Sequence, residues 1–591
     1  MNKRKGISLI VLVITILVMI ILAGVVIVSL SKNNPVNKAK EATFKTDVST
    51  FEGDLSFYLA NSLATDSTLR MEDVDASGYS EIKKVINSFA EKYADKFEVV
   101  DGKLVYIGED KDELVWIGEL GISTKAGIVN APVLSSGMIP IKYNGTKWVI
   151  CDSKDPEWYN YESKKWANVM LSDGKYKTIT PGTVVEDADL GSMFVWIPRY
   201  AYSINKYKTA ASGSEGQTQE IHDISFLLGT SDSDVDGKTY PKTYDAKNAE
   251  VGKPTPKIVH PTFNFDGKEL KGIWFAKFEA SMDESTGHSN ENNKESCNFV
   301  DAKGCIKILP SKLTWRNIQL GNIFLNCKNM IVSDNSYGLT NVDSHLMKNA
   351  EWGAVAYLTT SKYGITPTIN KLSSTTPNGE YMTWTGGNKY REFISQSTTG
   401  NTTGIYDMNG GSWEYTASFF NNKSSNLQTF ATQLFKDFNL KPEYNKYFDI
   451  YDVSEEEKNN MLHDSIWQSP HNDITYGNKF RINITDKKYD LMAKKYGDAM
   501  FEAVNKKEYS YFGKLTNNDY SWIKGKEEAS ETIFGETFYN NDFMLLGNIH
   551  IPYIIRGGDC GNAFHAGIFA SNNVGGDPHV FTSFRPVLVN I

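Results

Sequence analysis

Three carboxylates at alternate positions, Asp232, Asp234 and Asp236, lead into Gly237 in the run D-S-D-V-D-G. That is the pattern of the first half of a calcium loop, where alternate side chains converge and glycine allows the sharp turn. The twelfth position of such a loop needs a bidentate Glu, and here it holds Thr243. A solvated turn is therefore the competing reading. The nine His are scattered, with no HExxH and no CxxC, which argues against zinc hydrolase chemistry. Five Cys are too few for a disulfide-built scaffold, and an odd count leaves one unpaired within the chain. Cys297 and Cys305 are close enough for a local disulfide, which nothing in the sequence demands. Glu351 beside Trp352, and Glu414 beside Trp413, place carboxylates next to large apolar plates. Such carboxylates need Arg, backbone N–H groups or a cation as partners.

The elements that must hold these groups are numerous. At 591 residues the chain has room for three or four domains of about 150 residues. Apolar residues make up 40% and charged residues 23%, enough for real cores. The net charge of −9 offers no basic field for nucleic acid. Residues 66–130 read as a small α/β segment: Ser80–Phe97 is helical by pattern, and a hairpin is expected around Asp101-Gly102. Residues 131–180 read as an aromatic-rich β-meander with Trp148, Trp158, Tyr159, Tyr161 and Trp166. Those rings serve either as core or as exposed platforms for sugar.

From about residue 190 onward, several phrases occur in one order. They are Phe194-Val-Trp-Ile-Pro198, Ile273-Trp-Phe-Ala-Lys-Phe-Glu-Ala-Ser281, Leu313-Thr-Trp315 before a helix reaching Cys327, and His345-Leu-Met-Lys-Asn-Ala-Glu-Trp352. Then come Gly404-Ile-Tyr-Asp-Met-Asn-Gly-Gly-Ser-Trp-Glu-Tyr-Thr416, Arg556-Gly-Gly558 and Ser583-Phe-Arg-Pro586. This series resembles the formylglycine-generating enzyme family, a variant of the C-type lectin fold, over residues 190–591. The resemblance implies that the loop bearing Asn409, Gly410, Ser412 and Glu414 holds a structural Ca²⁺, although Gly411 stands where the family usually has Asn. The family's copper-dependent oxidase uses two Cys in its terminal segment. Only Cys560 is present, with His565 in the second place, so neither copper nor enzymatic activity is expected. Residues 420–541 carry no motif, although Ser454 and Glu457 form a capping box for a helix.

The end of the chain has its own composition. From Leu545 to Ile591 there is no Lys, Glu, Gln, Met or Trp. The codons of all five end in purine, whereas the residues present can come from codons ending in pyrimidine. This resembles the variable region of proteins diversified by retroelements, which are also C-type lectin folds. The resemblance implies a frame of Arg556-Gly-Gly558, Ala566-Gly-Ile-Phe569 and Phe584-Arg-Pro586, with a ligand-binding set between. That set is Asp559, Cys560, Asn562, Phe564, His565, Phe569, Ser571, Asn572, Asn573, Asp577 and His579, facing an unknown protein or glycan. Varied groups must face solvent, because surface changes usually alter stability by no more than about 0.5 kcal/mol.

Lys3, Arg4 and Lys5 precede an uncharged run, Ile7 to Ser29, long enough at about 35 Å to span a bilayer as a helix. The expectation is a single-pass membrane anchor with the C-terminal bulk outside. Residues 1–6 and the Ile7 run resemble a type IV prepilin leader, cut between Gly6 and Ile7, which implies a prepilin peptidase and pilus subunits as partners. Val11 stands where pilins usually carry Glu, which puts filament assembly in doubt but not anchoring. Val36, Ala39, Phe44, Val48, Phe51, Leu55 and Leu59 recur at helical spacing, so 7–65 reads as one transmembrane and stalk helix. The fold class expected is α+β: a pilin-like transmembrane helix, small α/β and β modules, and a C-terminal C-type lectin domain of the formylglycine-generating-enzyme type. The function expected is a membrane-anchored, surface-displayed binding protein; a minor pilin and an oxidase are the alternatives.

Overall fold

The computed structural model describes residues 35–65, 74–204, 222–283, 297–364, 396–452, 496–500, 551–559 and 566–591, apart from short gaps, together with 385–386, 390–391, 534–536 and 543–545. The class is α+β. The chain divides into two compact units, Met1–Lys125 and Ala126–Ile591.

The first unit is organised by α1, Pro35–Thr65. Proline at the first helical position costs nothing, since its missing N–H would have no partner there. Phe44, Val48, Phe51, Leu55 and Leu59 are all buried, whereas Ala39 is exposed, so the packed stripe starts at Phe44. Against it lie α2 (Tyr79–Val85) and a sheet of β1 (Phe97–Val100), β2 (Lys103–Tyr106) and β3 (Ser123–Thr124). β1 and β2 form the expected hairpin, with Phe97 opposite Tyr106 and Gly102 at φ 70°. The helix expected over Ser80–Phe97 is shorter. It stops at Val85, and a single 3₁₀ turn follows at Glu91–Tyr93. Asp54 of α1 accepts the Ser88 N–H at 2.6 Å, which fixes the turn that ends it.

Among the described residues no helix is long and apolar enough to cross a membrane. This corrects the expected single-pass anchor. α1 is long but carries Lys38, Lys40, Glu41, Lys45, Asp47, Glu52 and Asp54, so only one face is apolar. The uncharged run Ile7–Ser29 and the cleavage pair Gly6/Ile7 lie outside the described residues.

The second unit holds two large sheets. Its elements in chain order are β4 (Met138–Tyr143), β5 (Trp148–Ile150), β6 (Asn168–Leu171), β7 (Val184–Val185), β8 (Met193–Pro198), β9 (Gly272–Ala276), α3 (Leu320–Asn329), β10 (Val342–Leu346) and α4 (Asn349–Thr359). They continue with β11 (Trp413–Asn421), β12 (Asp449–Asp452), β13 (Tyr553–Arg556), β14 (Ser571–Val574), β15 (Thr582–Phe584) and β16 (Pro586–Asn590). The first sheet is antiparallel, in the order β10-β16-β9-β8-β6-β4-β5-β7. The last strand of the chain thus sits between β10 and β9, with Leu588 opposite Trp274. The second sheet is built on β11, which pairs with β12, β13 and β15, while β14 extends it beyond β13.

The aromatic-rich stretch is not a free meander. β4, β5 and β6 join the first sheet, and Trp148, Trp158, Tyr159, Tyr161 and Trp166 are buried. Of the two readings left open, core holds. Each of these rings removes a large apolar area from water, roughly 1.5–3 kcal/mol apiece. The indole N–H groups of Trp148 and Trp158 find partners on Tyr390 Oη and the Asn168 carbonyl, at 2.8 and 2.7 Å.

Candidate functional site

β11 and the turn between β15 and β16 bring Glu414 and Arg585 together. Arg585 Nε donates to Glu414 Oε2 at 3.0 Å, and Nη2 donates to Oε1 at 2.8 Å. The remaining donors reach the carbonyls of Ala276 and Tyr406 at 2.8 and 2.9 Å. Burial pushes the Glu414 carboxyl upward, and the guanidinium opposes that by charge and hydrogen bond. The fork geometry is that of an ionised bidentate pair.

Beside this pair lies Glu279, also fully buried. Its Oε1 accepts the Ser412 N–H at 2.8 Å, while Oε2 has no hydrogen-bond partner among the described residues. Burial, with the charges of Glu414 and Asp407, holds its carboxyl well above the usual range. Gly411, at φ 91°, passes so close that a Cβ there would stand 2.7 Å from Glu279 Oε1. This explains why glycine occupies that position.

The four residues expected to hold calcium lie on one loop and strand, but their side chains are spent on protein partners. Both Glu414 oxygens belong to Arg585, Ser412 Oγ meets Thr314 Oγ1 at 2.9 Å, and Asn409 Oδ1 accepts from Thr398 Oγ1 at 2.9 Å. Gly410 supplies a positive φ of 141° and no side chain. The carboxylate and side-chain oxygens of this loop are thus taken up by protein partners. In the D-S-D-V-D-G run, Asp232 pairs with Arg199, and Asp234 accepts Tyr240 Oη at 2.6 Å and the Lys238 N–H at 3.0 Å. Asp236 lies outside the described residues. Among the described residues no cluster of three or more His, Cys, Asp or Glu is disposed to hold a metal ion. Cys297 and Cys305 are both buried, and no local disulfide links them.

The tail divides into frame and face. Arg556 is fully buried; Nε donates to the Ala570 carbonyl, and the two Nη groups to the carbonyls of Asp498 and Ala499, each at 2.9 Å. Gly557, at φ 89°, lets the backbone lie against Trp352, whose Cη2 would be 3.0 Å from a Cβ. Trp352 Nε1 in turn donates to the Ile568 carbonyl at 2.7 Å.

Of the expected ligand-binding set, Asp559, Asn572 and Asp577 are half-buried and His579 is exposed. Asp559 Oδ2 accepts the Trp413 indole N–H at 3.0 Å, Asn572 Oδ1 accepts the Asn573 N–H at 2.8 Å, and the Asp577 carbonyl accepts Tyr415 Oη at 2.8 Å. Phe569, Ser571 and Asn573 are buried, which corrects their assignment to the face. In β14 the burial alternates, so 571 and 573 point inward while 572 and 574 point outward. Phe569 lies within the turn 567–570, its ring stacked beside those of His222 and Tyr357. Cys560, Asn562, Phe564 and His565 lie outside the described residues.

Sequence reasoning missed Phe581. It is 45% exposed, and its ring centroid lies 5.4 Å from that of His579. The signal was present, since Phe581 falls in the Lys- and Glu-free tail and outside every framework phrase. No protein-family model matches this chain, and no curated protein matches it.

Proposed function

We propose that this chain is a binding protein whose C-terminal tail presents a face of exchangeable side chains on a fixed frame, without performing a reaction. One observation carries the reading. Within residues 551–591, Arg556 and Arg585 are sealed and fully engaged, whereas Asn572, Asp577, His579 and Phe581 reach solvent from the loops and strand between them. Residues of the second kind can change without unfolding the domain; those of the first cannot.

A fold of the C-type-lectin kind, diversified by a retroelement, is the form we propose for this display. Support comes from the terminal strand β16 inserted between β9 and β10, and from the missing codon class across Leu545–Ile591. Tyr, Asn, Ser and Gly on a rigid support are also what natural paratopes use. The ligand class remains protein or glycan. The test is to sequence the gene end in sibling isolates. Differences concentrated at codons 559, 572, 577, 579 and 581, with 556–558 and 584–586 constant, support the proposal; a constant tail overturns it.

A further inference from the structure

A cavity of about 420 Å³ opens in the second unit, and among the described residues none of its lining belongs to the tail. Lys348, Ala350, Asp449, Tyr451 and His260 are among its walls. Lys348 stands immediately before α4, and its side chain is only 9% exposed. Its ammonium has no hydrogen-bonded acceptor among the described residues. The nearest carboxylate oxygen is Glu351 Oε1 at 3.8 Å, and the Phe265 ring lies 5.5 Å away. Glu351 is already engaged, with Oε1 bonded to His345 Nε2 at 3.0 Å and Oε2 accepting the Lys348 N–H at 2.8 Å. Lys348 thus meets Glu351 only at ion-pair distance, beyond hydrogen-bond reach, which leaves its donors open to a ligand's oxygen.

Asp449 also lines the cavity; its Oδ2 accepts the Ala350 N–H at 2.7 Å, and Oδ1 has no partner among the described residues. The lining thus offers both a cation and a carboxylate oxygen. The N-terminal end of α4 adds a field that favours negative charge near Lys348. The volume falls in the range of small-molecule pockets.

We infer that this cavity binds a small zwitterion of the amino-acid class, its carboxylate on Lys348 Nζ and its ammonium on Asp449 Oδ1. Tyr451 and His260 would line the space for its side chain.

The test is calorimetric titration of the intact chain with free amino acids one at a time, alongside acetate and methylamine. Saturable binding by at least one amino acid, with acetate and methylamine weaker by about tenfold or more, supports the inference. Lys348→Met and Asp449→Asn should each weaken that binding about tenfold or more, and Lys348→Arg should retain part of it. Asn at 449 can still accept the Ala350 N–H, so its effect does not depend on the capping contact. No saturable heat with any amino acid, acetate binding as tightly as the zwitterion, or unchanged binding in both variants would each overturn it.

Discussion

Arg585 holds both carboxylate oxygens of Glu414, and the two side chains are 0% and 1% exposed. The pair ties β11 of the second sheet to the residue just before β16 of the first. Its backbone bonds to Ala276 and Tyr406 use donors the carboxylate leaves over. Removing one partner would strand a buried charge. Arg585→Met should cost about 3–5 kcal/mol of stability, and so should Glu414→Leu, while the double variant should cost less than their sum. Urea unfolding of the four proteins measures this; strict additivity would mean the pair does not act as a unit.

Glu279 should respond in the opposite sense. Its carboxyl is raised in the fold by burial and by Glu414 and Asp407, so its contribution to stability falls as pH rises past the ordinary carboxylate range. Glu279→Gln keeps an oxygen for the Ser412 N–H and removes the charge. The variant should melt at a higher temperature than the parent at neutral pH, and the difference should shrink toward acid. A lower melting temperature at neutral pH would contradict this.

His345 lies between two carboxylates, with Nδ1 3.0 Å from Asp343 Oδ1 and Nε2 3.0 Å from Glu351 Oε1. Burial opposes its charged form, but Glu351 and Asp343 together raise it, and the Phe265 ring stacks on it at 5.2 Å. Burial likewise acts against Asp343 and Glu351, yet His345 and nearby lysines hold both carboxyls low. The imidazolium's contribution is complete below about pH 6.5 and is lost as pH rises through its raised folded value. The carboxylates' contribution is present above about pH 4 and is lost as pH falls. The trio should therefore stabilise most between those limits. His345→Gln should flatten the alkaline limb of a stability-against-pH curve measured by chemical denaturation.

Face and frame should separate under mutation. Asn572→Ala, Asp577→Ala and Phe581→Ala should each change stability by no more than about 0.5 kcal/mol, whereas Phe569→Ala should cost about 3–5 kcal/mol. Thermal unfolding distinguishes them. Equal losses at Phe581 and Phe569 would count against the division.

In the first unit, Phe51 packs edge-on against Tyr93 and Phe97, with centroids 5.4 and 6.1 Å away. Phe51→Ala should cost about 3–5 kcal/mol there. Hydrogen exchange followed by mass spectrometry should show the loss of protection confined to residues before 126.

Much was legible in residue order alone. The α1 stripe and the 97–106 hairpin follow from periodicity and turn residues, because those signals are local. The expectation that Glu351 and Glu414 need partners was also local, since a carboxylate beside a buried Trp cannot stand alone. Which partner each one takes was not. Arg585 lies 171 residues from Glu414 in the chain, and only the pairing of distant strands brings it there. The same holds for Ser571, Phe569 and Asn573, whose composition placed them on the face but whose register turned them inward. Composition and spacing determined the main elements and the unusual makeup of the tail, which lacks Lys, Glu, Gln, Met and Trp from Leu545 to Ile591. Tertiary structure decided which side chains face water and which charges meet, because both depend on contacts between residues hundreds of positions apart.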